Sequence, residues 1–187
     1  MAKMIGRSAA LSRFLLDDRS GSVMVEFAFV FPILLALLGL VLMAGEGLEV
    51  SRKVTMTART LTDLASQQSN IGTSSGTYNY NQILNAAALV IAPYSASSMA
   101  MTVSEIQVTG SNVGTVVWSE AYNGGTALTV GSSVTLSGNL PVSQYLIQGT
   151  VNYTFSPLAT IYLSTPITLS DTVAMAPRTS TSVACCN

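Results

Sequence analysis

Glu26 is the residue of this chain whose type and position most call for a chemical partner. It stands at the head of a charge-free apolar run of nineteen residues, 27–45, and five places after Gly21. A carboxylate carried deep into hydrocarbon costs at least about 2.5 kcal/mol. It must then be paired with a cation or held at headgroup level. At headgroup level it needs no further role, since a helix N-terminus favours a negative side chain through its dipole. Residue types alone leave both readings open.

Other groups offer less chemistry. The chain has no histidine, so none of its many serines has the base that a nucleophilic triad requires. Asp171 shares the apolar side of a strand pattern with Ile167, Leu169, Val173 and Met175. It has no neighbouring carboxylate for acid–base work, and its expected partners are backbone amides or Arg178. The only cysteines, Cys185 and Cys186, are adjacent. Two thiols without histidine make a poor metal site, whereas an oxidising compartment predicts a disulfide, vicinal or between chains. Trp118 and Tyr122 fall on one strand face and read as core or interface residues. Nothing implies a metal or a cofactor, and the missing histidine and sparse acids argue against an anchored enzyme.

The elements that must position Glu26 begin with a helix. Residues 27–45 are long enough to cross a bilayer core of roughly 30 Å. The apolar stretch exceeds that of a cleaved signal peptide and no Ala-x-Ala site follows it, so it reads as an anchor. Pro32 lies inside and is expected to kink the helix or open its hydrogen-bond ladder. Beyond Gly47 the pattern becomes amphipathic: Val50, Val54, Ala58, Leu61 and Ala65 recur at helical spacing. One helix is expected from about Val23 to about Gln68.

Around this helix the chain divides into four parts. Residues 1–21 form a basic leader with a short helix near 9–16. Residues 22–47 form the membrane helix, 48–69 its amphipathic continuation, and 70–187 an extracytoplasmic domain. Residues 70–76 read as a linker. Asn79 or Asn81 is placed to cap a second helix running to about Ile91 and ended by Pro93. Strand patterns follow at 101–109, 115–122, 128–136, 145–155 and 167–175, with Asn123-Gly124-Gly125 as the turn between the second and third. The expected fold is α+β: a long N-terminal helix whose amphipathic half packs on a mostly antiparallel sheet. A sheet needs its inner face covered, and that half-helix can cover it.

Composition sets the outer limits. Of 187 residues, 49% are hydrophobic and only 9% charged, with a net charge of -1. Nothing here steers the chain toward nucleic acid. Lys3, Arg7, Arg13 and Arg19 precede the apolar run, while Arg52, Lys53 and Arg59 follow it among Glu46, Glu49 and Asp63. The basic leader favours a cytoplasmic N-terminus and an extracytoplasmic C-terminus.

Gly21-Ser22-Val23-Met24-Val25-Glu26-Phe27, entering a long apolar helix, resembles the processing site of type IV pilins and pseudopilins. More closely it is similar to the TadE-like family of tight-adherence (Flp-type) pilus systems. Gly21, Glu26, Phe27, Ala28 and the Phe31-Pro32 step carry the likeness. Leu169-Ser170-Asp171-Thr172 and Pro177-Arg178 add to it more loosely.

The resemblance implies that a prepilin peptidase cuts between Gly21 and Ser22, making Glu26 the fifth residue of the mature chain. Glycine suits a scissile bond because the backbone can approach the peptidase closely. The cut removes the basic leader and leaves an α-ammonium on Ser22. The Glu26 carboxylate of one subunit can then pair with the Ser22 ammonium of the next, offsetting the desolvation of both and fixing register. Phe27 would belong to the same assembly surface. Ser22 departs from the phenylalanine usual at that place in type IV pilins, so N-methylation does not follow.

The function so implied is a minor pilin or pseudopilin that initiates or assists pilus assembly. Its partners would be the peptidase, other pilins, the inner-membrane assembly platform and the lipid bilayer. Its place would be the bacterial inner membrane or the extracellular pilus. The alternative is an uncleaved single-pass membrane protein with a periplasmic domain that binds a ligand or glycan.

Overall fold

The computed structural model describes residues 20–72, 80–138, 140–156 and 165–185. Among them the fold is α+β, a long N-terminal helix packed on a mostly antiparallel sheet of five strands. Two compact units divide the chain, Met1–Ala44 and Gly45–Asn187.

Helix α1 runs Ser20–Ser66, 47 residues, and is continuous across Pro32. It begins three residues earlier than Val23, so Gly21 and Ser22 lie in its first turn. Proline supplies no N–H at position 32, which leaves the Ala28 carbonyl without its usual intrahelical donor. Over residues 21–44 nearly every side chain is exposed, Val41, Leu42 and Phe29 among them. This half is long and apolar enough to cross a membrane, with a mean hydropathy of 2.7 over its most apolar window.

From residue 45 onward, α1 behaves differently. Val50, Val54, Ala58, Leu61 and Ala65 are buried, the same five residues that the helical spacing singled out. Thr57, Thr62 and Ser66 join them on the packed side, and their hydroxyls bond to carbonyls of the preceding turn, as in Thr62 Oγ1 to Ala58 O at 2.8 Å. This back-bonding lets small polar residues sit against a sheet with their hydroxyls satisfied.

The sheet has strand order β4-β3-β2-β5-β6. Its strands are β2 (Met99–Gly110), β3 (Val113–Tyr122), β4 (Ser133–Thr135), β5 (Tyr145–Phe155) and β6 (Ile167–Met175). All pairings within it are antiparallel. Central β2 gives Met99, Met101 and Val103 to the helix side, where Ile147, Val151, Tyr153 and Phe155 of β5 meet them. Ile106, Val108, Leu136 and Leu146 form a smaller second core. Gly149 marks a close approach of helix and sheet, since a Cβ there would collide with Thr62 Oγ1.

Two expectations need correction, the strand at 128–136 and the linker at 70–76. The stretch 128–136 is not one strand. Asn123 and Gly124 turn with positive φ, and Gly125 N donates to Tyr122 O at 3.0 Å. The chain then lies across the sheet, tied by Leu128 N to Ser119 Oγ and by Thr102 Oγ1 to Thr126 O. It turns again at Gly131, also with positive φ, and pairs only over β4. The supposed linker is not all loop, because Asn70–Ile71 forms β1, parallel to β7 (Ala184–Cys185). The second helix, α2, spans Tyr80–Ala88, and its last turn tightens into a 3-10 segment, Leu89–Ile91. The helix near 9–16 lies outside the described residues.

Candidate functional site

The N-terminal motif is placed on one helix, and its geometry follows from helical spacing. Ser22 and Glu26 are four residues apart and so lie on the same face, one turn from each other. Glu26 is exposed, in a helix whose first turn holds no acidic residue. Phe27 and Phe31 repeat the four-residue step beside it, with ring centroids 5.3 Å apart and planes inclined by 28°. Gly21 has open space where a Cβ would point. The site is therefore a stripe on an exposed apolar helix: a small-residue step, one carboxylate, and a stacked aromatic pair.

Such a stripe cannot catalyse acid–base chemistry, because Glu26 is the only titratable side chain among residues 21–45. It can take part in pairing. Apolar surface exposed on this scale is untenable in water and needs lipid or other helices around it. In that setting a carboxylate selects a cationic partner.

The other singled-out residues lie elsewhere. Cys185 is on β7 and is disulfide-bonded; Cys186 lies outside the described residues. Asp171 Oδ1 accepts from the Thr172 backbone amide at 2.8 Å, the kind of partner expected for it. Arg178 instead meets Asp63 of α1, Nη2 to Oδ1 at 2.7 Å. Trp118 is buried, and Tyr122 Oη donates to Asn85 Oδ1 at 2.9 Å. No group of three or more metal-ligating side chains occurs among the described residues.

Two features escaped the sequence reading. Glu105, 2% exposed, interrupts the apolar face of β2 after Met99, Met101 and Val103. Its carboxylate accepts from Val183 N at 2.6 Å and from Trp118 Nε1 at 3.1 Å. Burial pushes its pKa up, against the lowering effect of those two hydrogen bonds. The available signal was an acid at an inward position of a strand beside another strand carrying the chain's one tryptophan. The second feature is Gln148, on the opposite face, in a cleft with Leu140, Leu146, Thr172 and Ala174. Its Oε1 is buried and has no hydrogen-bond partner among the described residues.

Near the start of the second unit, burial, and after it the charge and hydrogen bond of Glu49, push the Tyr94 phenol up. No family model, no curated protein and no solved structure matches the chain.

Proposed function

We propose that this chain is a minor pilin or pseudopilin of a tight-adherence type of pilus. In this reading a peptidase cuts it between Gly21 and Ser22, and it assembles through its N-terminal helix. The observation that carries the reading is the single carboxylate, Glu26, one turn from Ser22 on a helix that exposes its apolar side chains all round. Before the cut the Ser22 nitrogen is a peptide N–H. After it, Ser22 carries an ammonium on the same face as Glu26. A lone mature subunit can close that pair on itself, which lowers the cost of holding both charges in lipid. Assembly then exchanges the internal pair for one between neighbours, so charge is compensated at each stage.

The helical start imposes a condition on processing. A scissile bond is bound extended, so the peptidase must unwind the first turn of α1. That turn has the orphan N–H groups of any helix end and no acidic residue to favour it, so opening is cheap.

The test is the mass of the mature chain from its native host, with and without the prepilin peptidase. Loss of residues 1–21 only when the peptidase is present is the expected result. A Gly21→Leu variant should accumulate as the full-length precursor and fail to assemble. A wild-type chain that keeps residues 1–21 in peptidase-positive cells overturns the reading and favours an uncleaved single-pass membrane protein.

A further inference from the structure

The face of the sheet turned away from α1 is uncharged and rich in hydroxyls. Strand alternation puts Gln148, Thr150 and Asn152 of β5 on it, beside Ser170, Thr172 and Ala174 of β6. The three β6 residues are exposed. Two stretches of chain wall this face into clefts. The stretch 135–140 borders the first, of about 280 Å³, where Leu136, Leu140 and Leu146 are the apolar sides and Gln148 and Thr172 the polar ones. The stretch 124–128 borders the second, of about 150 Å³, which reaches Thr150 and Asn152. Between the clefts the Thr150 and Thr172 hydroxyls are 3.1 Å apart. Gln148 and Asn152 are four residues apart on one strand, a distance of about 13 Å.

Gln148 is left wanting. Its Oε1 is buried and has no hydrogen-bond partner among the described residues. Folded chains seldom leave such an acceptor empty without a reason. The terminal torsion of glutamine is broad, so a small rotation turns the carboxamide toward a donor in the cleft.

We propose that this face binds a neutral oligosaccharide, with one pyranose unit at Gln148 and another at Asn152. None of this depends on the pilin reading. Neutrality follows from the linings, since neither cleft has a charged side chain among the described residues. An anionic ligand would lose its hydration there with no cation to replace it. Sugar hydroxyls suit this face because hydroxyls and carboxamides both donate and accept. The leucines of the first cleft suit the C–H surface of a sugar ring, and apolar walls with a few polar groups are the usual make-up of a small-ligand site. An apolar occupant such as a lipid chain would leave Gln148 and the threonines unpaired. Each cleft holds only a small unit, and two on one face select a linked ligand over a single ring.

The experiment uses the full chain in micelles of a phosphocholine detergent, which brings no sugar. Ligand-observed NMR titration is run with cellotriose, maltotriose and chitotriose, and with methyl glucoside as the single ring. At least one trisaccharide should bind with a Kd of about 1 mM or tighter. Methyl glucoside should bind at least about tenfold more weakly, because it fills one cleft only. Gln148→Leu keeps most of the side chain's bulk and removes the buried acceptor. It should weaken trisaccharide binding about fivefold or more without lowering the Tm, a pair of results that a merely structural glutamine does not give. Asn152→Ala, at the second cleft, should weaken the trisaccharide and leave methyl glucoside unchanged, which keeps the test decisive if Gln148→Leu misfolds. Trigalacturonate, an acidic trisaccharide, should bind no better than methyl glucoside. No binding of any neutral trisaccharide up to about 10 mM overturns the proposal and leaves Gln148 with a buried water only. Unchanged trisaccharide affinity in both variants overturns it too, as does tighter binding of trigalacturonate. A changed oligomeric state in Gln148→Leu, with no sugar bound by the wild type, overturns it in favour of a second copy of the chain on this face.

Discussion

Residues 21–44 and 45–66 belong to one helix and are both rich in apolar side chains, yet the two halves are stabilised in opposite ways. The first half is apolar all round and its large side chains stand exposed, Leu37 and Leu42 among them. The second half confines its apolar residues to one stripe, and each residue of that stripe is at most 1% exposed. Periodicity rather than hydrophobicity separates them. A stripe can be satisfied by one sheet of the same chain, whereas an all-round apolar surface needs partners on every side. The first half must find those partners in other molecules, and the second has its partner within the fold.

The largest effect should come from the one charge in the first half. In the proposed pilin reading, Glu26→Ala leaves the sheet domain untouched and lies outside the bond that the peptidase would cut. The mutant chain should insert and be processed like wild type, yet lose assembly, because a neighbour's Ser22 ammonium is left unpaired in apolar surroundings. Glu26→Gln should be nearly as poor. Pilus formation and the ratio of mature to precursor chain are the measurements. Normal piliation by both variants removes the pairing mechanism. Loss of processing as well moves Glu26 to peptidase recognition.

The second half should respond through stability instead. Leu61 is fully buried in the main core, and Leu61→Asp puts a charge where no partner exists. The cost should reach about 3–5 kcal/mol, enough to unfold the domain of the full chain in micelles. Leu37→Asp, in the exposed half, should leave the same thermal transition in place and impair membrane insertion. Equal losses of domain stability from the two substitutions would erase the distinction between the halves.

The same distinction explains what the sequence made legible. The five buried positions of the second half, and strands β5 and β6 with their limits, follow from spacing alone, because each has one wet and one dry face. Strand β2 is buried on both faces over residues 101–106, so its alternation is muted and Glu105 does not stand out. The segment 128–136 alternates like a strand, but a turn at Gly131 breaks its ladder: Leu128 N goes to Ser119 Oγ and Ser132 N back to Thr129 O, and regular pairing with β3 is confined to β4. The pairing of β1 with β7 joins residues more than a hundred positions apart, and two-residue strands leave no periodic trace. The N-terminal motif is legible as residues, yet the apolar pattern starts the helix only at Val23. Nothing in Ser20-Gly21-Ser22 announces a helix, although serine is a good capping residue.

A smaller effect is expected where the helix lies close against Gly149 of the sheet. Gly149→Ala adds a methyl group into space held by Thr62 Oγ1, with Leu61 Cδ2 and Ala58 O at 3.4 Å. Thr62 cannot swing away freely, because its hydroxyl bonds Ala58 O and also reaches Val173 O at 3.3 Å. The helix must shift, at a cost of about 1–3 kcal/mol read as a lowered denaturation midpoint with unchanged slope. A Thr62→Ala, Gly149→Ala double variant should recover part of that loss, since the colliding atom is gone. No recovery would mean that the backbone of α1, rather than the Thr62 side chain, sets the spacing.

The smallest effect belongs to Asp63 and Arg178. Their 2.7 Å contact is the one ion pair among the described residues and joins the end of α1 to the segment that follows β6. Its length suggests strength, but the Arg178 side chain is 59% exposed and that of Asp63 35%. Water and salt screen the attraction, and holding two side chains in register costs entropy. The Arg178 backbone amide keeps its bond to Ser66 O whatever the side chain is. Arg178→Ala should therefore cost no more than about 0.5–1 kcal/mol at low ionic strength, and less in added salt. Asp63→Ala should cost somewhat more, because Asp63 Oδ2 also accepts from Gln67 Nε2 at 2.7 Å. A double-mutant cycle over the two residues, repeated at high salt, separates the pair from that second bond. A coupling of several kcal/mol that persists in salt would mean the pair is shielded from solvent.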